Sequence, residues 1–181
     1  MKRSRMLATG VLTAMMIAAG AGAAAAEPIE HDTFEESFSD TIDCGDGLIL
    51  ELEGLDTVHF LLLARGPDGL LYGQANIDGT TSITNPANGK SLTSTYHILD
   101  KDLKVTDNGD GTFTIVVLHA GPTATYGPDG QQLFLDTGQF VFEGVYDVAN
   151  DEFVFGEILR QVGRWDTDGR DFCADMHEFL G

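Results

Sequence analysis

The run Thr95–Gly121, TYHILDKDLKVTDNGDGTFTIVVLHAG, constrains the fold more than any other stretch of the chain. Two β-type segments flank Asp107-Asn108-Gly109-Asp110-Gly111, where Asn-Gly and Asp-Gly supply the positive φ angles of a tight turn. Beyond the turn, Phe113, Ile115 and Val117 alternate with Thr112, Thr114 and Val116, the period of a strand with one more apolar face. A loop of odd length, three or five residues, sets Val105 against Phe113, Leu103 against Ile115 and Lys104 against Thr114. An even loop would set Lys104 and Asp102 opposite the apolar residues, so the odd register is preferred.

In that register Leu99, Leu103, Val105, Phe113, Ile115, Val117 and His119 share an inner face. A regular strand adds His97, diagonal to His119, but also turns Lys101 inward. A bulge at Asp100-Lys101-Asp102 would remove the lysine and flip His97 outward. Both arrangements stay open at the level of sequence.

The compartment is read from the other end of the chain. Met1-Lys2-Arg3-Ser4-Arg5 is basic, Met6 to about Gly22 is apolar, and Ala24-Ala25-Ala26 is an A-x-A site, the three parts of a secretory signal peptide cut after Ala26. The segment is short and soft for a membrane anchor, so the mature chain is expected to have no membrane span. Removing residues 1–26 takes away three basic side chains and no acidic one, so the formal charge falls from −19 to −22. Such a surface repels nucleic acid and anionic lipid. In an exported protein Cys44 and Cys173 are expected to pair, closing a loop whose entropy is worth about 5 kcal/mol.

Residues 27–36 are polar and acidic and are expected to be disordered. Ser37–Asp43 reads as a first strand, followed by Leu48–Glu53 and by the doubly apolar Thr57–Arg65. Gly66-Pro67-Asp68-Gly69 is a turn, and Leu70 to Thr84 returns as a strand broken at Asp78-Gly79. Gln132–Leu135 is short. Gln139–Val148 and Glu152–Val162 form a hairpin whose interior Gly144 and Gly156 mark bulges or bends. Phe172, Met176, Phe179 and Leu180 give Asp171–Leu180 helical spacing. The whole predicts one all-β domain over residues 37–181: an antiparallel up-and-down barrel of about eight strands with a short C-terminal helix, or alternatively a two-sheet sandwich.

Chemical motifs are sparse. Gly89-Lys90-Ser91 lacks the upstream glycine and following helix of a phosphate loop. Asp107–Gly111 and the cluster Asp166, Asp168, Asp171 resemble calcium loops, but both break the ligand spacing, so no metal site is assigned. His97 and His119 are the only histidines arguable into proximity, and they are the weak catalytic candidates. His59, on the apolar strand, reads as structural. Trp165, beside Arg164 and the acidic loop, reads as a plug for the barrel end or a ligand anchor. No cofactor motif is present.

The chain resembles a group of secreted β-rich proteins of actinomycetes. The likeness rests on the signal peptide, Cys44, Asn85-Pro86 with Gly89-Lys90-Ser91, Lys101-Asp102-Leu103, Asp107–Thr112, Tyr126–Gly130 and Gly169-Arg170-Asp171-Phe172-Cys173. These are turns and a cysteine pair, so the resemblance implies a fold and an exported location and assigns no activity.

Three functions are compatible with this reading. The first is a binding module holding a small apolar or amphipathic ligand with His97, His119, Phe113, Phe140, Phe142, Phe155 and Trp165. The second is a barrel-type isomerase or cyclase using inward histidines. The third is a cell-exterior interaction protein acting through its acidic surface.

Overall fold

The structure, a computed structural model, describes residues 28–181; the signal segment and its cleavage site lie outside the described residues. Nine strands and one helix follow in the order β1 Pro28–Asp43, β2 Ile49–Arg65, β3 Leu70–Thr84, β4 Ser91–Asp107, β5 Thr112–Ala120, β6 Thr123–Tyr126, β7 Gln132–Asp136, β8 Gln139–Asp147, β9 Glu152–Val162 and α1 Phe172–Leu180. All strands belong to one antiparallel sheet with the path β1-β2-β3-β4-β5-β8-β9. The remaining two strands extend that path: β6 pairs with the first half of β4 and with β7. Thus β5–β6 and β7–β8 are two long strands, each interrupted once, at Gly121-Pro122 and at Thr137-Gly138.

The all-β expectation with a C-terminal helix is met, and the chain meanders up and down. No pairing joins β1 to β9 among the described residues, so the sheet is open. The segment expected to be disordered is ordered from Pro28, because Glu30–Glu36 pair with Asp56–Leu62 of β2. The two strands expected between Leu48 and Arg65 are one strand, since both neighbours follow β2 without a break. The break expected at Asp78-Gly79 is likewise absent. Gly79 is needed there for packing, because a Cβ would stand 2.2 Å from the Tyr96 ring.

The central hairpin has the expected parity. Val105 shares a face with Phe113 and Ile115, although its direct partner is Ile115 and the last pair is Asp107 with Phe113. The bulge sits at Leu103, between the Asp102 and Lys104 pairs. It turns Lys101 and Lys104 to the outer face together, leaves Leu103 exposed, and returns Val105 to the inner face. Leu99, expected inside, therefore points outward, His97 points outward as the bulged alternative implies, and Asp100 and Asp102 point inward.

Burial is concentrated where α1 lies on the inner face. Leu50 and Leu180 are both 0% exposed, and Leu48, Leu92 and Met176 complete the cluster. Asp171 caps the helix by accepting from the Ala174 N–H at 2.8 Å, as its position before the apolar run requires. Two tethers hold the helix. The Cys44–Cys173 disulfide ties its first turn to the β1–β2 turn. At its other end Asn85 and Asn88 each donate a side-chain N–H to the Leu180 carbonyl at 2.8 Å, and Lys90 donates to the Gly181 carbonyl at 2.6 Å. The Asn85–Lys90 loop is thus a helix clasp. No helix among the described residues is long and apolar enough to cross a membrane.

Asn85 is the buried member of that clasp, and its amide oxygen also accepts from the Ala87 N–H at 2.9 Å. Asn85→Ala removes both bonds and is expected to cost about 1–3 kcal/mol in urea unfolding. Wild-type stability in that variant would refute the clasp.

Candidate functional site

Beyond the helix, no further element lies over the inner face of the described chain, although Val58, Leu62, Val105 and Val117 on that face are buried. It carries Phe34 and Phe38 on β1, Phe60 on β2, Phe113 on β5, Phe140 and Phe142 on β8, and Phe153 and Phe155 on β9. Several rings lie flat because a glycine sits beneath them. A Cβ on Gly54 would stand 2.1 Å from Phe38, one on Gly144 2.2 Å from Phe153, and one on Gly138 2.2 Å from Trp165. Gly144 also marks the register shifts between β8 and β9, and Gly156 approaches the Glu143 carbonyl, as interior glycines in these strands imply.

The rings touch in series. His119 stacks on Phe140 with centroids 4.6 Å apart, and Phe140 lies 5.6 Å from Phe142 and 5.7 Å from Trp165. Phe142 stacks on Phe155 at 4.9 Å and meets Phe153 edge-on at 6.2 Å. Of the expected ligand residues, His119, Phe140, Phe142 and Trp165 are therefore contiguous. Phe113 shares the face, opposite Tyr146. His97 does not belong: it faces outward and pairs with Asp78 at 2.6 Å, with 59% of its side chain exposed. The bulge separates the two histidines, so the pairing of inward imidazoles fails. His59 is exposed on the outer face, 3.0 Å from the Thr33 hydroxyl.

A polar row crosses this aromatic field, mostly from alternate residues of β4. Tyr96 donates to the Asp56 carboxylate and receives a bond from Thr81 at 3.4 Å. Burial, and then the bond to Asp56, push the Tyr96 phenol up to about 12. Asp100 and the His119 Nδ1 lie 2.7 Å apart, both partly buried. Asp102 accepts the Gly73 N–H at 2.7 Å, yet burial pushes its carboxyl up to about 6; Asp100 nearby adds to that shift, while the Gly73 bond and Arg65 oppose it.

Sequence reading missed Tyr96, Asp56, Asp100 and Asp102. One signal was present: 96, 100 and 102 have equal parity, and polar residues of one parity inside an apolar strand must share a face. The bulge hid which face that was.

The acidic loop before the helix does other work. Arg164 forks onto Asp166, which also accepts the Leu135 N–H at 3.0 Å, and Asp171 caps α1. These contacts hold the Asp166 carboxyl below the usual carboxylate range, Arg164 first. No group of three metal-ligating side chains converges among the described residues. Trp165 lies over Gly138 and beside Phe140, so it extends the aromatic row. A depression of about 610 Å³ lined by Lys90, Thr93, Tyr126 and Pro128 lies at the helix clasp, away from this chemistry.

No protein-family model matches the chain, and no curated protein or solved structure matches it.

The carboxyl of Asp102 has a defined signature in stability. Its folded pKa of about 6 lies above the ordinary 3.8, so the unfolded chain ionises first as pH rises. Stability from this group is full below about pH 4 and falls through pH 6, a loss of about 3 kcal/mol. Asp102→Asn is expected to match wild type near pH 4 and to exceed it at pH 7.5 in urea unfolding. Equal differences at both pH values would contradict the buried acid.

Proposed function

We propose that this protein is an exported binding module whose aromatic inner face holds a small apolar or amphipathic molecule. The observation that carries the reading is the contiguous, partly exposed row His119, Phe140, Phe142, Phe155 and Trp165, beside a short polar row on the same face. Apolar surface with a few convergent polar groups and displaced pKa values is the usual composition of a small-molecule site. The disulfide fits an oxidising compartment, as the leader sequence and the likeness to exported actinomycete proteins lead one to expect.

In the same reading the sheet completes a barrel around its ligand, with β1 brought to β9. Both are edge strands with unpaired backbone groups. Both also expose large side chains on the inner face, with Phe155 53% and Phe38 37% accessible. Closure would pair the edges and bury these rings, removing two liabilities of an open sheet at once. The up-and-down order of the strands is the order such a barrel requires.

Titration with the neutral dye N-phenyl-1-naphthylamine tests the reading. Saturable binding is expected, with Phe142→Ala weakening it about tenfold, since Phe142 contacts three other rings. Hydrogen exchange should slow in β1 and β9 together when the dye is bound. Absence of saturable binding by the folded protein would end the proposal.

A further inference from the structure

The polar row includes more than a ligand of this kind needs for orientation. Asp100 and the His119 Nδ1 share a hydrogen bond of 2.7 Å, which fixes the ring and its tautomer and leaves Nε2 without a partner among the described residues. Stacking on Phe140 holds the same ring from its flank. Asp102 lies on the same face, diagonal to His119 across the β4–β5 pair, with its carboxyl held by the Gly73 N–H of β3. Among the described residues no Ser, Thr or Cys is hydrogen-bonded to His119, so no nucleophile there is paired with it.

We propose that His119, positioned by Asp100, and Asp102 form an acid–base site that moves a proton between two carbons of a small enolisable ketone. The proposal rests on the reading of this face as a ligand surface. Nε2 of neutral His119 removes a proton from the carbon beside the carbonyl. The C–H bond breaks, and its electron pair passes through the carbonyl to give a dienolate oxygen. The carboxylic acid form of Asp102 donates a hydrogen bond to that oxygen and keeps its proton. The imidazolium then returns its proton to the γ carbon, so a β,γ-unsaturated ketone becomes its α,β isomer. Atoms and charge balance, and no oxidant or second substrate enters.

The surroundings favour each role. Asp102 faces the Gly73 N–H from β3, Arg65 from β2, Asp100 on its own strand and His119 on β5. A carboxyl with an elevated pKa is available as an acid at pH values where exposed aspartates are ionised. An apolar substrate over the aromatic row would exclude water and extend that range.

Cyclohex-3-en-1-one is a sufficient probe, because its isomer absorbs in the ultraviolet and quenching of Trp165 reports its binding. The wild-type protein is expected to isomerise it with saturation. His119→Gln should lower the rate about 10²–10⁴-fold. Asp100→Asn should lower kcat with KM unchanged, the mark of a positioning residue. kcat/KM should be bell-shaped in pH, and its high-pH limb, where Asp102 ionises, should vanish in Asp102→Asn. His97→Gln, on the opposite face, should leave the rate unchanged. Trp165 quenching without isomerisation, or a His119→Gln variant as active as wild type, overturns the catalytic site and leaves the binding module intact. No binding of the ketone or of N-phenyl-1-naphthylamine overturns both.

Discussion

Docking of the C-terminal helix on the inner face of the sheet is the contact on which this structure depends. Leu180 and Met176 cover Leu50 and Leu92, and this cluster holds the two fully buried large side chains among the described residues. A nine-residue helix has little stability of its own, since nucleation costs more than two turns return. It persists because it is held at both ends, by Cys173 at the first turn and by Asn85, Asn88 and Lys90 at the last. The disulfide also brings the β1–β2 turn to a helix 129 residues away, which fixes where the meander begins relative to where the chain finishes its last turn.

The covered end and the uncovered end of the same face have different chemistry for that reason. Under the helix the inner positions are Ile42, Leu50, Ile83 and Leu92, which need only apolar contact. Away from it the inner positions are rings flattened over glycines and a row of hydrogen-bonding side chains. Each member of that row is paired, so no buried side-chain atom is left without a partner among the described residues. Pairing removes the worst of the desolvation cost but not all of it, and the elevated Asp102 carboxyl is where the remainder shows.

A single inserted residue decides the composition of that row. With Leu103 set aside as a bulge, Lys101 and Lys104 both reach water, and Asp100, Asp102 and Val105 all face in. Without it, the parity of the hairpin would have placed His97 and Lys101 inside, and a lysine on an aromatic face has no partner to offset its burial. The two histidines that looked equivalent in the sequence are separated by this choice. His119 gains Asp100 and Phe140, whereas His97 joins Asp78 on the solvent side.

Local rules were sufficient for the two hairpins and the helix. Period-two alternation, the Asn-Gly and Asp-Gly turns, the helical spacing of Phe172, Met176 and Leu180, and two cysteines in an even count determined the hairpin parity, the helix and its tether, but not that β2 and β3 run unbroken. These features depend on neighbours in the chain, and neighbours are visible in a sequence. The tertiary structure alone decided that residues 28–36 form part of an edge strand, since their order comes from pairing with β2 and not from their own composition. It alone decided that Asp56, Tyr96, Asp100, Asp102 and His119 occupy one face, because the misfit of Lys101 marks only the neighbourhood of a bulge and not whether it forms. Which residues share a surface is a property of register across strands, and register is settled by the sum of many contacts distant in the chain.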